Sequence, residues 1–324
     1  MSTSIQQAGK FLQEQLRMIE PEINQTVYPE YWGYEGKYHS VKNGLNFGVS
    51  TIKTARLDYT GTAVNFGGKA TDIPLANFGI DTDSYDTLMG VLGAEWHWTE
   101  LEQQEAATNA GTLNAVNVVQ EYSNAMDKGI REWVHLKTLF GNYNNTSAGF
   151  TGFFNNPYAQ VKVITDNLYN YTPQQLYDFF LTESFDFQKT SLLTAEATDL
   201  LLPIDLKRAL LRRFGDNTGD GNPLRMMLNL NGKNDEPAYN SVSAVNELKY
   251  TYLNQYGISV TSQDMFIMYD NSVQTLYKYM SDIYTTPAQL KDDGMTYRVT
   301  SIVKLSEMIV KQPFRIRYYL IPTI

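Results

Sequence analysis

The sequence predicts an α+β fold, and three observations lead to that class. Helical and extended segments are interleaved along the chain without a repeated βα period. Residues 99–138 have the apolar spacing of one very long amphipathic helix. Residues 45–78 have the small polar residues and the glycine punctuation of a long β-hairpin. With 324 residues, 43% of them hydrophobic, the chain can bury a sizeable core in one elaborate domain or two.

The first 45 residues predict a short helix followed by irregular, extended chain. Pro21 ends the helical pattern, and residues 29–38 are rich in aromatic residues and glycine. The helix could pack on its own domain, or it could be an arm that packs on a neighbouring chain. The apolar residues on one side of the predicted helix are Ile5, Ala8, Leu12, Leu16 and Ile19.

The hairpin of residues 45–78 is predicted to rest on another surface. Gly61, Gly67 and Gly68 punctuate it, and the run from Thr71 to Pro74 closes it. It contains few large apolar residues, and an isolated two-stranded hairpin is marginally stable in water. Another subunit is one surface that could support it.

The long helix is predicted to start at Thr99, where Thr99 and Glu102 have the spacing of a capping box. A helix of about forty residues spans roughly 60 Å at the usual rise per residue. Such a rod with one apolar stripe would brace a large, flat domain. The apolar positions recur at intervals of three or four: Leu101, Ala106, Ala110, Leu113, Val116, Val119, Tyr122, Met126, Ile130 and Trp133.

Shorter elements are predicted after the long helix. A loop rich in glycine and asparagine follows it and ends at Pro157, and Thr172 and Pro173 have the residue types of a helix N-cap and first helical position. Asp292 and Asp293 precede Gly294 in a predicted turn. The remaining predicted elements are strands at 161–165, 200–203, 265–270, 297–310 and 314–321, and helices at 205–214 and 242–256.

Composition excludes several classes of function. The net charge of −9 and the pI of about 4.9 give the chain no global attraction to nucleic acid. The absence of cysteine excludes disulfides and thiolate metal sites. We recognise no signal peptide and predict no membrane span, because no apolar run approaches the roughly eighteen residues that a span needs.

No motif predicts catalysis, a cofactor or a metal. The three histidines are not spaced as metal ligands, and His97, between Trp96 and Trp98, is predicted to pack or to form a hydrogen bond. The segment from Asp216 to Gly221 is similar to a calcium loop, but Met227 stands where the loop needs a bidentate glutamate. We therefore predict no catalytic residue, no cofactor, no metal and no enzymatic activity.

The order of the elements and five short strings carry a resemblance to one family. Ala70–Pro74 resembles the family's hairpin exit, and Gly152–Pro157 resembles its loop after a spine helix. Thr172–Leu176 resembles its helix start, and Thr198–Pro203 resembles its leucine strand that ends in proline. Tyr297–Tyr319, with Pro313 inside it, resembles its final strands. Together they resemble the major capsid protein of tailed bacteriophages, whose Hong-Kong-ninety-seven-type fold is shared with encapsulins.

The chain departs from the family pattern at two places. Phe153 and Phe154 stand where leucines are commoner, a change without chemical consequence. Glu307 and Met308 stand where a glycine often precedes the last strand, so the turn geometry at that point is open.

The resemblance implies a domain organisation. Residues 1–45 would be an N-terminal arm, and residues 46–78 an extended hairpin loop that lies across a neighbouring subunit. Residues 79–165 would form a peripheral domain with the spine helix 99–138. Residues 166–285 would form an axial domain, and residues 286–324 would supply closing strands that return to both domains.

The resemblance also implies a function. Copies of the chain would assemble as hexamers and pentamers into an icosahedral phage head around double-stranded DNA, without sequence-specific binding and without a membrane. Portal, scaffolding or decoration proteins are further partners, and the location is the virion capsid, assembled in the host cytoplasm. The alternatives are an encapsulin-like compartment shell and, from another class, an α+β enzyme or carbohydrate-binding protein. Predicted inter-subunit contacts are Ile5, Leu12, Trp32, Asn65, Phe66, Lys69, Phe150 and Phe153.

Overall fold

A computed structural model describes residues 31–60, 77–109, 118–142, 150–191, 194, 196–211, 244–248 and 263–322. These residues belong to two compact units. The first takes in the described residues of Met1–Tyr31, Leu92–Gly129 and Thr285–Ser301. The second takes in those of Trp32–Val91, Ile130–Tyr284 and Ile302–Ile324.

Helices and strands alternate irregularly, as the α+β prediction requires. The helices are α1 (Trp32–Glu35), α2 (Trp98–Asn109), α3 (Val118–Phe140), α4 (Pro173–Thr190) and α5 (Ile204–Leu210), with 3₁₀ turns at Leu168–Asn170 and Pro313–Arg315. The strands are β1 (Ser40–Asn43), β2 (Thr51–Thr60), β3 (Asn77–His97), β4 (Gln160–Val163), β5 (Asp199–Pro203), β6 (Ala244–Leu248), β7 (Gln263–Tyr269), β8 (Leu276–Met280), β9 (Tyr284–Thr285), β10 (Gln289–Leu290), β11 (Thr296–Ser306), β12 (Ile309–Val310) and β13 (Ile316–Pro322).

The smaller sheet of the second unit has the order β4–β13–β7–β5–β6. Every residue of β5 is buried, as its run of leucines predicts, because both faces of the sheet are covered. One face packs on α4 and α5, where Phe266 stacks on Tyr319 with ring centroids 4.3 Å apart. The other face packs on the end of α3 and on Phe153. Among the described residues, the two largest buried clusters therefore lie on the two faces of this sheet.

The larger sheet has the order β1–β8–β11–β3–β2. Strand β1 pairs with β8 in parallel, and β12 adds to β8 in antiparallel. Val303 and Leu305 of β11 pack with Ile130 and Val134 of α3 in a buried cluster. The helix stripe predicted from the sequence is thus a core face over this part of α3.

The first unit has its own core around Trp96. The Trp96 ring stacks on Tyr122 and Tyr297, at centroid distances of 6.0 and 6.3 Å, and Met126 and Val299 complete the cluster. Aromatic pairs of this kind contribute about 0.5–1.5 kcal/mol beyond their buried area.

Most of the shorter elements follow the predictions. Thr172 caps α4 in a full capping box with Gln175, and Pro173 is the first helical residue. The turn at Asp293 is confirmed: Gly294 has φ +66°, and Asp293 accepts hydrogen bonds from two backbone N–H groups. The predicted strands at 161–165, 200–203 and 265–270 correspond to β4, β5 and β7.

Three predictions differ from the structure. The segment predicted as helix 242–256 contains strand β6, because its residues at 244–248 pair in register with β5. The continuity of the long helix stays a prediction, because α2 and α3 cover its two ends and residues 110–117 between them lie outside the described residues. Val119 of the predicted stripe is exposed. The helix starts at Trp98, and Thr99 N–H donates to His97 Nδ1 at 3.3 Å, so His97 takes the capping role predicted for Thr99.

The hairpin also has different bounds. Strand β2 ends at Thr60, residues 61–76 lie outside the described residues, and the return strand β3 starts at Asn77. The hairpin therefore includes residues 79–86, which the sequence analysis placed after it. Ile80 and Tyr85 are the large apolar or aromatic residues of this stretch and the other six are small or acidic, so the stretch lacks the apolar alternation that predicts a strand.

Candidate assembly surfaces

The hairpin of β2 and β3 is a long, regular ribbon. Its antiparallel register runs without a break from Thr51 opposite Asp86 to Thr60 opposite Asn77. Ten residues at the usual rise of a strand extend about 30 Å. On the return strand, residues 77–82 and 84 are exposed, whereas Tyr85 at the base of the hairpin is buried.

One face of the hairpin exposes large apolar side chains. Phe78 is 70% exposed and Ile80 is 63% exposed, and these two residues, spaced by two, share a face of β3. The register sets Phe78 opposite Tyr59 and Ile80 opposite Leu57. We call Phe78 and Ile80 the apolar hairpin face. Covering both side chains would contribute about 3–4 kcal/mol before the costs of association.

The base of the hairpin is firmly anchored. Tyr85 is buried against Tyr277 and Ile309, and its hydroxyl donates to the Val310 carbonyl oxygen at 3.2 Å. Burial, chiefly, raises the pKa of Tyr85 to about 12. Thr87 Oγ1 donates to the Val49 carbonyl oxygen at 2.8 Å, which holds the start of β2 against β3. These contacts hold the base of the hairpin against β8 and β12.

Glu307 joins the hairpin base to the loop after α3. Its two carboxylate oxygens accept from Asp86 N–H at 2.9 Å and from Thr151 N–H at 2.6 Å. Burial raises the pKa of Glu307, although the two N–H donors oppose that shift. A glycine, which the family often has near this point, could make neither side-chain bond. Glu307, a departure from the family pattern, therefore anchors the base of the hairpin.

Two predicted contact residues prove to be core residues. Phe150 is 5% exposed and Phe153 is 1% exposed, so their side chains have almost no surface left for a neighbouring chain. The loop folds back on the last turn of α3, where Phe153 N–H donates to the Thr138 carbonyl oxygen at 2.9 Å. Gly141 has φ +57° and passes so close to Gly152 that a side chain at either position would collide with backbone.

Trp32 keeps part of its surface. Its ring meets Tyr38 edge-on at 5.2 Å between centroids, and Lys37 Nζ lies 5.0 Å from the ring centroid. Its predicted role in an interface therefore stays a prediction. The other predicted contacts lie outside the described residues: Ile5, Leu12, Asn65, Phe66 and Lys69.

A second exposed apolar surface, which the sequence analysis missed, lies on the edge strand β4. Val161 and Val163 are 59% and 58% exposed on one face. Lys162 points to the other face, where its Nζ lies 2.7 Å from Glu183 Oε2 and 3.3 Å from Asp186 Oδ2. The alternation from Gln160 to Val163 predicts this two-faced strand, but its position at a sheet edge follows only from the pairing with β13.

The first unit presents a rigid hairpin of β10 and β11. Glu95 accepts from Lys291 Nζ and from Arg298 Nε, each at 2.6 Å, and these hydrogen bonds lower the pKa of Glu95. Leu290 and Met295 of this hairpin are exposed, as is Trp98, whose N–H donates to the Met295 carbonyl oxygen. The exposed apolar residues are thus held on an ordered support.

Within the described ranges, no three histidine, cysteine or acidic side chains cluster as metal ligands would. No described helix is long and apolar enough to cross a membrane. His97 forms the predicted hydrogen bond, with its Nδ1 2.8 Å from Thr99 Oγ1.

Comparison with solved structures identifies the fold. The chain is similar to the capsid of Myoviridae phage XM1, with 14% identity and a TM-score of 0.73 over 95% of this chain and 97% of that one. It is similar to the capsid of an empty GTA particle, with 9% identity and a TM-score of 0.60 over 96% of each chain. A chain of Gordonia phage Cozz gives 13% identity and a TM-score of 0.54 over 96% of this chain and 93% of that one.

No protein-family model and no curated protein matches the sequence. The chain nevertheless has the fold of these phage capsid structures, and this confirms the Hong-Kong-ninety-seven-type fold predicted from the order of its elements. The likeness extends over nearly the whole of each chain.

Proposed function

We propose that this chain is the major capsid protein of a tailed phage and assembles with copies of itself into an icosahedral shell. The observation that carries the proposal is the apolar hairpin face. Phe78 and Ile80 remain exposed on a ribbon whose base is fixed by Tyr85 and Glu307. An exposed apolar surface on an ordered support is typical of an interface. The fold shared with phage capsids makes another copy of the chain the expected partner.

In this proposal the segments take distinct roles. Residues 1–45 form an arm, and the hairpin, redrawn to include Thr51–Asp86, reaches a neighbouring subunit. The peripheral domain of residues 79–165 and the axial domain of residues 166–285 pack around the symmetry axes of hexamers and pentamers, and residues 286–324 close both. Heterologous contacts between two different surfaces suit such rings, because the rotation of each subunit onto the next closes the assembly.

The charge of the chain fits a wall that encloses double-stranded DNA without gripping it. A net charge of −9 repels a polyanion, so DNA would not bind tightly to the shell while it is packaged or released. The proposed location is the virion capsid, with assembly in the host cytoplasm. Portal, scaffolding and decoration proteins are the further proposed partners. The shell role requires no catalytic group, and we propose that the chain is not an enzyme.

The first experiment asks whether the purified chain assembles. Sedimentation velocity and negative-stain electron microscopy should show ring oligomers or megadalton particles. A species that stays monomeric under all assembly conditions would refute the proposal, and would favour the alternative of an enzyme or carbohydrate-binding protein. Particles that contain a cargo enzyme, from a gene without a neighbouring portal or terminase, would indicate an encapsulin-like compartment instead.

The second experiment tests the apolar hairpin face. Phe78→Asp introduces a charge on this face, whereas Asn77→Asp introduces the same residue at the adjacent, also exposed position on the opposite face. Both substitutions lie away from the core, so both variants should fold. Phe78→Asp should reduce the assembled fraction at least tenfold, because about 2 kcal/mol of apolar burial per contact is lost. Equal assembly of the two variants would contradict the assigned role.

A further inference from the structure

A buried group of basic side chains holds the segment that follows the first 31 residues. Gly33 N–H donates to His135 Nδ1 at 2.9 Å, and the Gly33 carbonyl oxygen accepts from Lys278 Nζ at 2.7 Å. Lys278 Nζ also donates to Thr138 Oγ1 at 2.7 Å. Both backbone groups of Gly33 are therefore fixed, one by α3 and one by β8. We call Gly33, His135 and Lys278 the Gly33 clamp.

The clamp requires a glycine at its centre. A Cβ on residue 33 would lie 2.9 Å from the His135 carbonyl oxygen and 3.0 Å from His135 Nδ1. The backbone of α1 thus approaches α3 more closely than a side chain allows. This close packing leaves little room for the clamp to adjust when one of its groups changes protonation.

The clamp also requires His135 to be neutral. Because Nδ1 accepts the Gly33 N–H, the ring proton must be on Nε2. Protonation at Nδ1 would convert that acceptor into a donor facing another donor. The bond would be lost, and two N–H groups would be left opposed in a buried place.

A second histidine adds to this effect. His39 is buried, and neither of its ring nitrogens has a hydrogen-bond partner among the described residues. Burial, followed by the neighbouring charges of Lys278 and His135, lowers the pKa of His39 well below its usual value. Burial also lowers the pKa of Lys278 to about 7. Each proton added here enters a region that already contains basic groups.

Other charged groups lie on the elements packed around these three. Glu35 and Lys37 form a 3.4 Å pair with each other at the surface, and the Lys42 ammonium lies over the Tyr277 ring at 3.8 Å. On α3, the Arg131 guanidinium lies 4.9 Å from the Tyr34 ring centroid, and Glu132 and Lys137 lie on the same helix. The Lys311 ammonium lies 5.2 Å from the Tyr277 ring centroid. Lys278 forms no ion pair with any of them within the described part of the chain.

We propose that the Gly33 clamp is an acid-sensitive latch: protonation of His135 at Nδ1 breaks its hydrogen bond with Gly33 N–H and frees residues 32–43 from α3 and β8. The latch holds the first segment of the second unit in place, so its opening would release that segment from the rest of the unit. The inference rests on the geometry of the clamp and does not depend on assembly. Helix α4, which packs on the smaller sheet, contains no part of the latch and should keep its packing.

Hydrogen–deuterium exchange of the full chain tests the latch between pH 8 and pH 5. Exchange times are corrected for the intrinsic effect of pH, peptides covering residues 32–43 report on the latch, and peptides of α4 serve as an internal reference. Protection of residues 32–43 should fall about tenfold for each pH unit below the transition if one proton opens the latch, and more steeply if two do. The α4 reference should not change over this range.

Variants then assign the transition. His135→Gln keeps an oxygen that can accept the Gly33 N–H but cannot titrate, so it should remove or lower the acid transition. His97→Gln is the matched control, because His97 is the third of the three histidines and lies in the other unit. It should behave as wild type.

Three results would overturn the proposal. Exchange of residues 32–43 in the wild-type chain could be independent of pH, a measurement that needs no variant to fold. The transition could persist unchanged in His135→Gln. The acid transition could also disappear in His97→Gln, which would show that the titrating group lies in the first unit.

Discussion

Replacing Lys278 by methionine should remove a large dependence of stability on pH. Lys278 is fully buried, and burial lowers its pKa from 10.5 to about 7. Between these two values the unfolded chain carries a proton on Lys278 that the folded chain lacks. Stability therefore rises with pH across this window, and below pH 7 the full cost of burying the charge is present.

The size of the effect follows from the width of the window. Two pH units, from 7 to 9, correspond to about 3 kcal/mol of added stability in the wild-type chain. Lys278→Met has a similar volume and no proton to lose, so its stability should be nearly flat over the same range. Its loss of the bonds to Gly33 and Thr138 costs about 1–3 kcal/mol for each group left without a partner. The variant should therefore be closest to wild type at pH 7 and clearly weaker at pH 9.

Urea denaturation of the dispersed subunit at pH 7, 8 and 9 measures both curves. Lys189→Met, which changes an exposed lysine at the end of α4, is the matched control and should follow the wild type. If Lys278→Met shows the same rise in stability from pH 7 to 9 as the wild type, the reasoning is refuted. In that case other groups would be responsible for the pH dependence.

Two further predictions concern anchors. Glu307→Ala leaves the Asp86 and Thr151 N–H groups without an acceptor. The free energy of unfolding, measured by thermal denaturation, should therefore fall by about 2–6 kcal/mol. A loss below about 1 kcal/mol would contradict the anchoring role. Thr172→Ala removes the side-chain half of the capping box of α4 and should cost about 1 kcal/mol, with faster amide exchange confined to the first turn of α4. Exchange that spreads to the hairpin base would show that the cap is not a local feature.

Local chemistry explains which parts of the fold could be predicted. Thr172 and Pro173 predict a helix start by their residue types alone. The consecutive leucines of β5 predict a strand that is covered on both faces. Gly141 and Gly294 have positive φ, as glycines in turns often do. These features need no knowledge of distant residues.

The errors arose where distant residues decide the outcome. The segment at 244–248 is helical by local pattern, but pairing with β5 makes it a strand. Phe150 and Phe153 look like interface residues in a glycine-rich loop, yet the loop folds onto α3 and buries them. The exposed valines of β4 could be recognised only when the sheet order placed that strand at an edge. The Gly33 clamp joins residues more than one hundred positions apart, so no sequence spacing indicates it.

The sequence by itself determined the α+β class, the order of hairpin, long helix and closing strands, and the absence of cysteine chemistry, because residue types and local periodicity are sufficient for each. Only the tertiary structure decided which apolar residues stay exposed and which polar groups are buried. Phe78 and Phe153 are the same residue type, but one lies on a projecting ribbon and the other inside a core. The pKa of Lys278 is lowered because α1, α3 and β8 exclude water from its ammonium group. This burial results from the packing of elements that are distant in sequence, so the sequence alone does not reveal it.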